Sequence, residues 1–308
     1  GLVLAGLIFV IVGTTYGIGQ WYIFSQRDKP LIMGATFIPY YAQNFGLDPK
    51  ATMEAAIYDL GISHFRLVSY WNKGEPLQGV YDFTELDWQF KLAEETGTKV
   101  SLAIGLRQPR WPECHMPKWA EAMPMTQWEP ELKDYMKVVM ERYKDSPALE
   151  SYQLENEFFL DVFGICPDHT RERLIREYEF VKKVDDTKPI IITRSNNALG
   201  YPIGEPQPDL FGVSVYKRVW DKTITKRYVE YPFPSWFYAS LAGGGKILTG
   251  KDLIIRYGEA SGMKRIDLWG IEWWYWRKVK ANDPSLWDTA RAELDRIRLD
   301  NSNKLLDQ

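Results

Sequence analysis

Cysteine and histidine are scarce in this chain. Two cysteines, Cys114 and Cys166, are too few for a disulfide scaffold and lack zinc-site spacing. The three histidines, His64, His115 and His169, show no ligand spacing either, so no metal or cofactor is expected. Basic blocks are missing: 38 Lys and Arg stand against 41 Asp and Glu, and the net charge of −3 gives no reason to expect a nucleic-acid partner. No short repeat or low-complexity tract occurs. A glycine-rich phosphate turn is absent after the first apolar run, where Gly34-Ala35-Thr36-Phe37-Ile38-Pro39 stands instead. That argues against a doubly wound dinucleotide fold.

Aromatic residues, by contrast, are abundant, with 13 Trp and 18 Tyr. Most belong in a core, but indole faces also match the C–H faces of pyranoses, so an excess of Trp suits a sugar cleft. One long apolar stretch is present. Leu2 to Phe24 carries no charge, and a helix of that length, rising about 1.5 Å per residue, spans a bilayer core of about 30 Å. Trp21 and Tyr22 close it as interfacial aromatics would. A cleaved signal peptide would have a shorter apolar region ending at an A-x-A-like site. The expected organisation is a transmembrane anchor at residues 1–24, a linker at 25–30 and one barrel domain at 31–308.

From Leu31 onward, short apolar runs alternate with amphipathic helices. The runs are Leu31–Phe37, His64–Trp71, Lys99–Leu106, Leu149–Glu157, Pro189–Ser195, Leu210–Tyr216 and Arg265–Ile271. Helices are expected from Asp48-Pro49 to Gly61, over Asp82–Thr96, Pro130–Lys144, Thr170–Lys183 and about Lys251–Ala260. Strand-then-helix repetition argues a parallel sheet covered by helices, and a (β/α)8 TIM barrel fits best. Seven strands can be counted where eight are needed. Lys246–Thr249 is too short to count, which leaves the barrel incomplete at its seventh strand.

Polar and aromatic residues collect at the ends of the runs, where a barrel builds its site. Arg66 lies in the second, Arg107 to Trp111 follow the third, and Asn156-Glu157 end the fourth. Arg194 to Asn197 end the fifth, Tyr216 the sixth, and Trp269 to Trp274 the last. Together, Asn156-Glu157, Arg66, Tyr216 and Trp269 resemble the barrel glycosidases of glycoside hydrolase clan A, over roughly residues 31–300. The strings Pro109-Arg110-Trp111-Pro112-Glu113-Cys114-His115 and Trp269 to Trp276 resemble uncharacterised bacterial members. The resemblance implies that Glu157 is the acid/base and that Asn156 hydrogen-bonds the sugar 2-hydroxyl. It further implies that Arg66 and Tyr216 hold the nucleophile and that Trp269 floors the sugar site, with Trp111 and His115 as further substrate-binding candidates.

The clan places its nucleophilic Glu after strand seven, where this chain reads Thr249-Gly250-Lys251-Asp252-Leu253. Glu272 is the nearest replacement by position, and its alternative reading is a structural Glu buried among Trp side chains. Retaining hydrolysis needs two carboxyl groups about 5–5.5 Å apart, one of them kept protonated by its surroundings. The expected function is a membrane-anchored, extracytoplasmic glycosidase acting on β-linked oligo- or polysaccharides. The alternative is an inactive, membrane-anchored carbohydrate-binding barrel that has lost its nucleophile. Cys114 and Cys166 follow consecutive strands, so the same rim would hold either a disulfide or two free thiols.

Overall fold

Every apolar run counted in the sequence becomes a parallel strand. The computed structural model describes residues 1–159, 164, 166–195, 204–215, 218–220, 228–230, 247–249 and 253–306. The barrel strands are β1 (Ile32–Thr36), β2 (His64–Val68), β3 (Lys99–Ile104), β4 (Leu149–Leu154), β5 (Ile190–Arg194), β6 (Leu210–Ser214), β7 (Ile247–Thr249) and β8 (Arg265–Leu268). Each pairs in parallel with its neighbours, and β1 pairs with both β2 and β8, closing the barrel. Strands β1 to β6 and β8 are buried almost throughout because side chains fill the barrel on one face and helices cover the other.

The strand count from sequence was one short. Ile247–Thr249 pairs with β6 through Ile247↔Val213 and with β8 through Ile247↔Ile266, and so takes the seventh place. Three residues between Gly243-Gly244-Gly245 and Gly250 carry no periodicity of their own. Their neighbours on both sides, rather than their own pattern, make them a strand. A separate antiparallel pair, Arg218–Trp220 with Tyr228–Glu230, lies outside the barrel sheet.

Local signals set most helix ends. The Asp48 side chain accepts the Ala51 N–H at 2.9 Å, and Pro49 occupies the first turn of the helix Pro49–Tyr58. Gly97, at φ +70°, ends the helix Thr84–Thr96. The helix expected from Pro130 starts five residues earlier, at Met125, and carries Pro130 inside it. Burial of Trp128 and Glu129 on the barrel wall overrides the proline as a start signal.

The N-terminal helix runs from Leu2 to Gln26, two residues past the expected anchor, and is long and apolar enough to cross a membrane. No residue before Gly19 is buried. Tyr22, expected in a headgroup layer, is instead packed into the barrel core.

Candidate active site

The segment after β4 turns its side chains in alternate directions. Glu155 and Glu157 both adopt left-handed backbone, at φ 55° and 45°, which is uncommon for residues other than glycine. Glu155 points back into the wall. Its carboxylate accepts the backbone N–H groups of Leu106 (2.7 Å) and Arg107 (3.0 Å) and faces Arg173 at 3.2 Å. Room for it comes from Gly105, where a Cβ would lie 2.4 Å from the Glu155 carboxylate. Arg173 also pairs with Glu177 at 2.5 Å, and all three side chains are fully buried. Burial pushes the Glu177 carboxyl well above the usual range, while the charge of Arg173 opposes the rise.

Glu157 turns inward. Its N–H donates to Thr193 Oγ1 at 3.0 Å, which ties the segment to β5. Burial raises its carboxyl above the ordinary range, while the hydroxyls of Ser214 and Ser195 and the charges of Arg66 and Arg107 oppose the rise. A buried carboxyl that holds its proton near neutrality is what a general acid requires.

Asn156 is held by a precise set of partners. Its Oδ1 accepts from Gln153 Nε2 at 3.3 Å and from Arg66 at 3.5 Å, and its amide donates to the Glu113 carboxylate. Arg66 also donates to Thr36 Oγ1 (2.9 Å) and Gln153 Oε1 (3.0 Å), and its guanidinium lies 5.6 Å from the Trp269 ring centroid. Arg66, Asn156, Glu157 and Trp269 therefore meet in one bowl at the C-terminal ends of the strands. Tyr216 lies outside the described residues, as do Asn196 and Asn197.

The remaining candidates are placed differently. Trp111 is 76% exposed and stands on the rim. His115 is buried and stacks on Tyr70, ring centroids 3.6 Å apart. Burial pushes its imidazole down to about 4, against a hydrogen bond to the Arg110 backbone, so it is neutral near pH 7. Glu272 has no exposed surface: Oε1 accepts the Ile38 N–H at 2.9 Å and Oε2 faces Arg110 at 3.7 Å. Arg110 in turn lies between the rings of Tyr41 (3.6 Å) and Trp269 (4.0 Å).

One carboxyl escaped the sequence reading. Glu113, in the loop after β3, pairs with Arg107 at 2.8 Å, and Arg107 also donates to the Asn156 carbonyl at 2.9 Å. Burial raises the Glu113 carboxyl to about 7, Arg107 opposes this, and the like charge of Glu157 adds to it. The available signal was its position between Trp111 and His115, two residues already marked as candidates.

Cys114 and Cys166 lie in touching loops. A Cβ on Gly164 would sit 2.2 Å from the Pro112 carbonyl oxygen and 3.4 Å from Glu113 Cβ. Both cysteines are free thiols, and a hydrogen bond donated by Cys166 to Cys114, together with burial, pushes the Cys166 thiol up. Treatment with diamide should take the count of labelled thiols in the denatured chain from two to zero, without forming dimers. Two thiols persisting after oxidation, or a covalent dimer, would disprove this adjacency.

A family model described as Beta-galactosidase matches residues 51–186, a little under half of the chain and the part that holds Arg66, Glu113, Asn156 and Glu157. No curated protein matches. Among solved structures, endo-glycoceramidase II from Rhodococcus sp. is 16% identical, with a TM-score of 0.52, covering 78% of this chain and 73% of that one. An exo-beta-1,4-mannosidase from Opitutaceae bacterium strain TAV5 is 14% identical, with a TM-score of 0.63, covering 89% and 60%. A beta-galactosidase from the Antarctic haloarchaeon Halorubrum lacusprofundi is 13% identical, with a TM-score of 0.59, covering 87% and 58%. At these identities the likeness establishes the fold, and the resemblance to clan A barrel glycosidases holds.

Proposed function

We propose that this chain is a membrane-anchored glycoside hydrolase-like protein that cleaves β-linked glycans, with Glu157 as the general acid/base. The observation that carries this reading is the Glu157 carboxyl itself. It is buried at the end of β4, bonded by Ser195 and Ser214, and flanked by Asn156 and Arg66. The Asn156 amide has two N–H donors, and Glu113 takes one, which leaves the other for a sugar hydroxyl. Trp269 offers the stacking face. Glu272 we read as the anchor of Arg110, because a group without exposed surface, bonded to a backbone amide, has no path to an anomeric carbon.

A second reading is favoured by one specific observation: no Glu follows β7, where the sequence runs Thr249-Gly250-Lys251-Asp252-Leu253. A barrel lacking its nucleophile would bind sugars without cleaving them. Incubation with a panel of β-linked galacto-, manno- and gluco-oligosaccharides separates the two readings. Hydrolysis, with the anomer first formed read by proton NMR, supports the enzyme. Binding without cleavage, lost in Trp269→Ala, supports the binding barrel, and neither outcome on any glycan would remove both.

Glu113 makes a prediction that needs no substrate. Its carboxyl titrates near 7 in the folded chain, against an ordinary value of 4.5. Between those values the folded state binds more protons than the unfolded one, so stability falls as pH rises through that window. Glu113→Gln removes the loss. The variant should gain on the parent from pH 5 to pH 8 by roughly 2–3 kcal/mol in chemical denaturation. Parallel stability–pH curves for the two proteins would show that Glu113 is not held protonated.

A further inference from the structure

The N-terminal helix meets the barrel at the end opposite the bowl. Its last turn packs on Gly262, in the turn leading into β8, where a Cβ would lie 2.9 Å from Ile23 Cα. Tyr22, 8% exposed, fills the adjoining core. The chain then runs only from Arg27 to Leu31 before β1 begins. Leu31 is gripped at both backbone atoms: its N–H donates to Asn301 Oδ1 at 2.9 Å, and its carbonyl accepts from Asn301 Nδ2 at 2.8 Å. A short, pinned connection of this kind leaves the helix little freedom to swing around the barrel.

Gly262 and Leu31 lie just before strands, whereas Asn156, Glu157 and Trp269 lie just after them. In a parallel barrel these are opposite faces. The helix-side face also carries charge suited to a bilayer surface. Lys264 sits within electrostatic reach of Lys29 and Lys304, with Asp28 and Glu259 as the nearby acids. Trp21, 69% exposed beside the buried Tyr22, stands at the level where interfacial aromatics gather. Strands of five or six residues, at about 3.3 Å per residue, put roughly 15–20 Å of barrel between that face and the bowl.

We propose that the bowl opens away from the bilayer, so that this site takes glycan chains from the aqueous space and not the headgroups of lipids in the leaflet that holds the helix. The substrate class rests on the glycan-processing part of the reading above, and the orientation rests only on its membrane anchor. A headgroup in that leaflet would have to reach past the whole barrel and turn back into a bowl facing the other way.

The test uses the full chain in vesicles of phosphatidylcholine and phosphatidylglycerol with an energy acceptor in the headgroup layer. Single dyes are placed at Lys118→Cys, on the loop after β3, or at Tyr58→Cys, at the end of a helix leading into β2, in a background of Cys114→Ser and Cys166→Ser. Lys118 has a 90% exposed side chain and Tyr58 is 72% exposed, so neither label disturbs the core. Transfer should be strong from position 58 and at least several-fold weaker from position 118. Equal or reversed transfer, or failure of the protein to float with the vesicles, would overturn the proposal. Glycan binding or hydrolysis plays no part in this readout, so a failed activity screen leaves it intact. As a second arm, any β-glycan cleaved or bound in solution should be cleaved or bound equally by the vesicle-held protein. Loss on reconstitution would mean that the bilayer covers the bowl.

Discussion

Glu157→Gln should reduce hydrolysis of unactivated β-glycosides by at least the roughly 10²–10⁴-fold that general acid catalysis contributes. Glutamine keeps the size of the side chain and can still meet the hydroxyls of Ser195 and Ser214, but it has no proton to give. Aryl glycosides with good leaving groups need little protonation, so their first step should be much less affected. The two substrate classes should therefore separate in the variant, which simple unfolding would not achieve. Steady-state rates on an alkyl or oligosaccharide substrate beside a nitrophenyl glycoside check this. Equal rates in parent and variant on every substrate would remove Glu157 from the chemistry and take the proposed mechanism with it.

The largest expected effect on stability lies behind the site. Arg173 is fully buried between Glu155 and Glu177 and donates to both. Arg173→Met keeps much of the apolar volume but strands the Glu155 carboxylate in the wall. Breaking a buried pair by removing one partner costs about 3–5 kcal/mol, which for a domain of this size corresponds to a fall in Tm on the order of 10 °C. Glu177→Gln is the control. Because burial pushes that carboxyl toward its neutral form, an amide should replace it at a cost of roughly 1 kcal/mol or less. Thermal unfolding of both variants in detergent decides it, and an Arg173→Met midpoint within about 2 °C of the parent would refute the assignment. Glu155 also fixes the Leu106 and Arg107 amides. Any folded Arg173→Met protein should therefore bind glycans more weakly as well, through loss of Arg107 positioning.

Much of this was legible before any coordinates. The parallel strands announced themselves as apolar runs because burial on both faces leaves little place for polar residues. Asp48-Pro49 and Gly97 fixed helix ends because capping is a local matter, settled within one turn. Asn156-Glu157 stood out because an amide and an acid at the end of a buried run have few structural reasons to be there. Arg66 and Trp269 followed from the clan resemblance, and the Arg66 guanidinium lies 3.5 Å from Asn156 Oδ1 and 5.6 Å from the Trp269 ring centroid.

Other features were decided only by tertiary structure. β7 is a strand because β6 and β8 each offer it a row of backbone partners, and three residues cannot state that in their own pattern. Glu155 and Glu157 are two residues apart and chemically identical, yet one became a wall ion pair and the other turned into the bowl. Their separation depends on Gly105 and Arg173, which are distant in sequence and close in space. Glu113 gained its role in the same way, from Arg107, Asn156 and Glu157 converging on it. Tyr22, expected among interfacial aromatics, lies in the core because Gly262 gave its helix a surface to dock on. Sequence by itself determined where chain segments are apolar, capped or charged, since those properties act over a few residues. Which charges face each other, and which end of the barrel the N-terminal helix packs on, only the closed barrel decided, because both depend on contacts between residues far apart along the chain.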